Sequence, residues 1–189
     1  EAYEGDKHDA WTDYYTYGGM PVILTLPSHE QKSRYLRELF TRTYLKDVVE
    51  RHSVQNNTEV LEDLLNIVAS AVGSLTNPNK LQKTFKSVNQ SKITATTITK
   101  YIEYLEDAFL IEEANRFDIK GKSYIGTPLK YYFMDMGLRN SRINYRQMEV
   151  THSMENVIYN ELRMRGLGVD VGNLTIVEMG EEGKAGKKH

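Results

Sequence analysis

The 189-residue chain contains no cysteine. Disulfides, cysteine-ligated zinc and thiol nucleophiles are therefore excluded, and a reducing cytoplasm is the expected location. No apolar run approaches the ~18 residues of a membrane span. The N-terminus has no charged leader followed by an apolar stretch, so nothing marks an exported precursor. Neither sign of charge dominates: the formal net charge is -2, which gives no whole-chain pull toward nucleic acid or membrane. Any basic footprint must be local.

Catalytic signatures are also missing. His8, His29, His52, His152 and His189 are scattered without HExxH spacing, which argues against a metal site. No GxSxG elbow accompanies the serines and histidines. Gly18-Gly19 is followed by Met-Pro and lacks the GxxxxGK[ST] that wraps phosphates, so it reads as a turn.

What is present is helical periodicity. Residues 6–17, DKHDAWTDYYTY, predict an aromatic-rich helix stopped by Gly18-Gly19. A long helix from His29 to His52 places Tyr35, Leu36, Leu39, Phe40, Tyr44, Leu45, Val48 and Val49 at three- and four-residue spacing, with Arg34, Arg37, Arg42, Lys46 and Arg51 as a basic flank. Thr58 caps a helix running to about Ser74, whose first turn carries Glu59, Glu62 and Asp63. After Asn77-Pro78, Leu81 and Phe85 mark a short amphipathic helix with Lys80, Lys83 and Lys86 outward.

Residues 94–109 follow as a helix capped by Thr94 or Thr96, with Ile98, Ile102, Leu105 and Phe109 as one buried stripe. LIEEANRFDI and LKYYFMDMG read as strands flanking the connection KGKSYIGTP. Short helix, turn, longer helix, hairpin is the order of a winged helix-turn-helix. LRNSRINYRQ reads as a polar crossing. A helix from about Met148 to Arg165 then places Met154, Val157, Ile158, Glu161 and Leu162 on or near one face. LGVDVG and NLTIVE start one or two strands without a visible partner, and EMGEEGKAGKKH is a tail without a core pattern. Both ends read as cut from a longer chain.

The winged-helix order makes a DNA-binding expectation. Ser91, Lys92, Thr96, Thr97 and Lys100 fall at the N-terminal part of the second helix, Lys120 and Lys122 at the wing tip, and Lys80, Lys83 and Lys86 on the preceding helix. Against it stand Glu103, Glu106, Asp107, Glu112 and Glu113, which would repel a phosphate backbone. Winged helices also serve as protein-packing modules, because a fold does not fix its function.

YGGMP, YLRELFTRTYLKDVVERH, GSLTNPNKLQKTFKS, TKYIEYLEDAFLI, RFDIKGKSYIGTPLKYYFMDMGLRN and MENVIYNELRMRG together resemble the C-terminal half of predicted AAA+-superfamily ATPases of bacteria and archaea. The resemblance covers about Trp11 to Gly172. It implies a Walker-bearing ATPase core upstream, then lid-like helices containing the Gly-Gly-Met-Pro turn, then a winged helix, and last a domain similar to the PD-(D/E)xK nuclease fold. ATP and Mg would belong to the missing N-terminal domain, since this chain has no Walker motif. Glu155 matches the helix acid of the nuclease-like fold, but the strand Asp and ExK that would complete a metal site are absent, and two-metal chemistry needs several converging carboxylates. The simpler role of Glu155 is a helix-surface or capping carboxylate. Arg42, Lys46, Asp47 and Arg51 also fall in the resemblance, where a sensor or trans-acting arginine is one role and a solvated flank with helix ion pairs the other.

The expected fold is mainly α (α+β): a lid-like helical segment over 1–52, a winged helix over 53–140, and the truncated start of an α/β restriction-endonuclease-like domain over 141–189. The expected function is a non-catalytic, cytoplasmic C-terminal module of an AAA+-like ATPase that binds DNA and couples it to the absent motor, with no membrane partner. The alternative is a protein-interaction module that packs on the ATPase domain or a partner subunit.

Overall fold

A computed structural model describes residues 5–54, 58–88, 93–118, 123–146, 149–172, 176–179 and 185–188. The protein is mainly α with small antiparallel β pairings, an α+β arrangement. Among the described residues no helix is long and apolar enough to cross a membrane.

Helix α1 (Lys7–Tyr17) begins where the Asp6 carboxylate accepts the backbone N–H groups of His8 and Asp9 at 2.7 and 2.8 Å, a cap that satisfies donors with no helical partner. It stops at Gly18, whose φ of 78° suits glycine. A short 3-10 turn (Pro21–Thr25) leads to α2 (His29–Leu39), capped by Ser28. The predicted long helix is continuous through α3 (Lys46–Arg51), but Phe40–Leu45 between them is a π-helical turn. The sequence explains it: the fully buried positions Leu36, Phe40, Leu45 and Val48 contain one five-residue step. At about 100° per residue, an α-helix would point Leu45 some 140° away from Phe40. One extra residue in the turn returns it to the core, while Tyr44 is only half-buried.

Helix α4 (Thr58–Ser70) ends four residues earlier than predicted, turning at Gly73 with φ 74°. Thr76 then exchanges two 2.7 Å backbone hydrogen bonds with Leu129 before α5 (Pro78–Val88) begins. Helix α6 (Ala95–Asp107) buries Ile98, Tyr101, Ile102 and Leu105. Phe109 does not continue that stripe. The helix has ended, its φ is 54°, and its side chain is 77% exposed, while Leu110 and Ile111 turn inward. Strands β1 (Ile111–Asp118) and β2 (Ser123–Phe133) form the antiparallel hairpin with a register shift between Ala114 and Arg116. The second strand starts at Ser123, so the expected connection through Pro128 is largely strand.

The first half of the predicted polar crossing is instead helix α7 (Met136–Arg142), and all six residues from Met136 to Ser141 are buried. Its N-cap Asp135 accepts Leu138 N–H at 3.0 Å and Gly19 N–H at 2.8 Å, so one carboxylate starts α7 and clamps the turn after α1. Asn140 Nδ2 donates to the carbonyls of Tyr15 and Thr16 at 2.9 Å, and Arg139 Nε donates to Ala69 O at 2.8 Å. Gly137 lies so close to the α1 terminus that a Cβ would sit 1.9 Å from the Tyr17 carbonyl oxygen. At the far end Arg142 bonds Glu62 and Asn66 of α4 and lies over the Phe40 ring. Helix α7 thus ties α1, the π turn and α4 into one body, and a single apolar cluster runs from Ile23 to Leu138 without a break at residue 52.

Helix α8 (Val150–Met164) keeps Val157 of the predicted face inward but turns most of that face out. Met154 and Ile158 are 41% and 50% exposed, and the inward side is Ser153, Asn156, Val157, Tyr159 and Asn160. The partners of Asn156 and Asn160 are the open backbone groups at the end of β2. Asn156 accepts Phe133 N–H at 2.9 Å and donates to Phe133 O at 2.7 Å, and Asn160 donates to Phe133 O and Met134 O. Buried peptide groups demand partners, so amides displace apolar side chains there. Val171 bonds alongside β1 in parallel with Arg116. Strand β3 (Ile176–Met179) pairs with β4 (Ala185–Lys188), which gives the expected patternless tail a strand.

Candidate nucleic-acid interface

Helices α5 and α6 pack through Leu81, Phe85, Ile98 and Ile102, all buried, which fixes the outward faces of both. The α5 N-terminus is capped by Asn77 Oδ1 at 2.8 Å from Lys80 N. The turn before α6 is held by Gln82, whose Nε2 donates to Ile93 O at 2.9 Å. Thr94 caps α6 by accepting Thr97 N–H at 3.2 Å. No acid lies in the first turn of α6 or of α5, so the positive end of the α6 dipole is unneutralised locally.

Of the predicted contacts, Lys83 and Lys86 of α5 and Thr96 and Lys100 of α6 are exposed. Thr97 is half-buried, and its hydroxyl lies 2.9 Å from that of Thr94, so it completes the cap. Lys80 is committed elsewhere, donating to Leu75 O at 2.9 Å. Lys100 lies 5.7 Å from the Tyr104 ring centre, and hydrogen bonding with Tyr104 raises its pKa, which keeps it cationic. Ser91, Lys92, Lys120 and Lys122 lie outside the described residues.

The opposing acids are engaged at the other end of α6. Glu106 accepts Glu113 N–H at 2.9 Å, Glu112 pairs with Arg163 at 2.7 Å, and Asp107 lies 3.9 Å from His52. Burial raises the pKa of Glu106 and of Glu113, partly offset by the Glu113 N–H and by Tyr131, respectively. Thr96 and Glu106 are ten residues apart, about 15 Å along a helix. That exceeds the ~8 Å screening length at physiological salt, so these acids weigh little on a phosphate at the α6 N-terminus. Glu103, one turn from Lys100, is exposed and does oppose it.

Glu155 is tied down. Its Oε1 accepts from Lys130 Nζ and from Tyr132 Oη, each at 2.5 Å, joining α8 to β2. Burial, then the Glu155 contact, drives the Tyr132 pKa far up, so the phenol remains a donor. Among the described residues no group of three metal-binding side chains is found. Gly18-Gly19 is equally unsuited to phosphate, because the Asp135 carboxylate already fills the turn. Sequence reasoning missed Asp135, Arg139 and Asn140. An Asp placed to cap the following residues was the available signal for the first; buried Arg and Asn carry none.

The chain belongs to the family defined by a domain of unknown function, DUF8612, which matches residues 8–149. The match ends just before α8. An uncharacterized protein of Haemophilus influenzae is 34% identical over 169 residues, covering 89% of this chain and 42% of that protein. Uncharacterized protein MJ1544 of Methanocaldococcus jannaschii is 31% identical over 166 residues, covering 88% of this chain and 36% of that protein. The chain therefore spans less than half the length of these curated relatives. No solved structure matches it.

Proposed function

We propose that α5, α6 and the β1–β2 hairpin form a winged helix that binds nucleic acid, and that this cytoplasmic, non-catalytic module couples DNA contact to an AAA+-like ATPase domain elsewhere in the full-length protein. The carrying observation is the asymmetry of α6: an acid-free first turn with Thr96 and Lys100 exposed, Lys83 and Lys86 exposed on α5, and Glu106 and Glu112 engaged at the far end. Such a surface contacts phosphates through side chains and a helix N-terminus. The Thr76–Leu129 pairing adds support, because it anchors the turn before α5 to the hairpin and holds helices and hairpin as one unit.

Fluorescence anisotropy with a labelled duplex across a salt series tests this. Affinity should fall steeply with salt, and Lys83→Ala/Lys86→Ala and Thr96→Ala/Lys100→Ala should each weaken it, since released counterions scale with neutralised phosphates. Absent binding at low salt, or variants that match the parent, would refute it.

A protein-interaction role is the second reading. Tyr14, Val22 and Leu24 are 38%, 41% and 62% exposed beside a hollow of about 200 Å³ between α1 and the 3-10 turn. Concentration-dependent self-association, or capture of the protein's own ATPase domain, without duplex binding would favour it.

A further inference from the structure

The π turn between α2 and α3 does more than return Leu45 to the core. It also rotates everything that follows on the outer face. Counting the turn as one inserted residue and about 100° per residue, Arg34, Arg37, Arg42 and Lys46 fall within an arc of about 80°. In an uninterrupted α-helix, Arg42 would lie about 80° from Arg34 and Lys46 about 120°. All four are exposed, and so are Thr41 and Thr43 beside Arg42.

Bases outnumber acids on this face, where exposed Glu30 falls in the same arc one turn before Arg34. From residue 34 to 46 the only acid is Glu38. Lys46 is within 3.7 Å of Glu50, and Arg51 pairs with Asp47 at 2.7 Å. Arg34, Arg37 and Arg42 form no ion pair with any described acid. The row from Arg34 to Lys46 is roughly 18 Å long at 1.5 Å per residue, over which one strand of a duplex presents about five phosphates at 3.4 Å each. Arginine forks and threonine hydroxyls are the side chains that grip phosphate oxygens, and π-bulges recur at functional sites.

The residue that follows α3 also packs against α6. Just after α3, the His52 ring stacks on Tyr104 at 3.7 Å, and the same Tyr104 ring carries Lys100.

We infer that the outer face of α2 and α3, centred on Arg34, Arg37 and Arg42, is a second, sequence-independent track for a nucleic-acid phosphate backbone, made continuous by the π turn. This rests on the nucleic-acid reading of α6, and the two can fail separately.

The test is duplex binding by the 189-residue chain across a salt series, with circular dichroism confirming the fold of each variant. Arg34→Ala/Arg37→Ala/Arg42→Ala should reduce the slope of log affinity against log salt by about 2 to 3 and weaken binding about tenfold, equally for unrelated duplex sequences. Lysine at the same three positions keeps the charge and should retain most of the slope. Arg51→Ala, already paired to Asp47, should leave it unchanged. A triple-alanine variant that matches the parent while Lys83→Ala/Lys100→Ala weakens binding overturns the track and leaves the α6 reading standing; this face would then suit an acidic protein surface. The reverse pattern supports the track and removes the α6 reading. A parent that binds no duplex at low salt overturns both.

Discussion

Helix α6 buries Ile98, Ile102 and Leu105 and turns Thr96, Lys100 and Glu103 to solvent. Helices α7 and α8 bury polar side chains as well: Arg139, Asn140, Ser141, Ser153, Asn156 and Asn160 go inward beside Met136, Leu138, Val157 and Tyr159, while Val150, Met154 and Ile158 of α8 go outward. What differs is the surface each helix meets. Helix α6 lies on the side chains of α5, where apolar area is the currency, at about 25 cal/mol per Å². Helices α7 and α8 lie against chain ends: the terminus of α1, the C-terminal carbonyls of α4 and the end of β2. There each unmet peptide group costs about 1–3 kcal/mol, comparable with the gain from burying a side chain such as Met154. The partner, and not the hydropathy of the helix, decides which face goes in.

The largest expected effect comes from crowding the polar contact. Gly137→Ala would drive a Cβ into the Tyr17 carbonyl, and backbone cannot yield as a side-chain tip can. Chemical denaturation should show a loss above about 4 kcal/mol or no folded protein; a near-parental midpoint would mean that α7 does not clamp α1. Next, Asn156→Leu adds apolar surface but strips Phe133 N–H of its acceptor, at an expected cost of about 2–3 kcal/mol. Ile102→Ala in α6 should cost about 2–5 kcal/mol through a cavity instead. If Asn156→Leu were neutral, the contrast between the two regions would collapse.

A smaller, pH-dependent effect belongs to the far end of α6. Glu106 and Glu113 have folded pKa values raised above the ordinary 4.5. Their protonated forms therefore favour the fold below that value, and the benefit disappears as pH rises through the raised folded values. Glu106→Gln/Glu113→Gln should stabilise the fold at neutral pH, by under about 1 kcal/mol because both are half-exposed to screening solvent, and should give no gain below pH 4.5. Thermal melts at the two pH values decide it. Smallest of all, Met154→Gln/Ile158→Gln should stay within about 0.5 kcal/mol in the isolated chain, because both side chains are already outside. A large loss would restore the apolar face to the interior.

These contrasts explain what the sequence disclosed. Helix α6 was legible because Ile98, Ile102 and Leu105 repeat on one face and Thr94 caps it; Phe109 failed because the chain leaves the helix first and adopts φ 54°. The α2–α3 helix was legible, but its π turn hid in the five-residue step from Phe40 to Leu45, blurred by Tyr44. Helix α7 was illegible: LRNS looks like loop, and only tertiary contacts to Ala69, Tyr15 and Thr16 make its polar groups core. In the candidate interface, the exposure of Lys83, Lys86, Thr96 and Lys100 followed from helical periodicity. The commitments of Lys80, Thr97 and Glu155 did not, because each depends on a partner that periodicity cannot place.

The absence of native cysteine makes the central claim directly testable. A single cysteine at Thr96 or at Asp107, carrying a photo-crosslinker, reports which end of α6 meets a duplex. Crosslinking from position 96 but not from 107, abolished at high salt, is the predicted result. Equal or greater yield from position 107, or none from either at low salt, would contradict the assignment of the α6 N-terminus as the nucleic-acid contact.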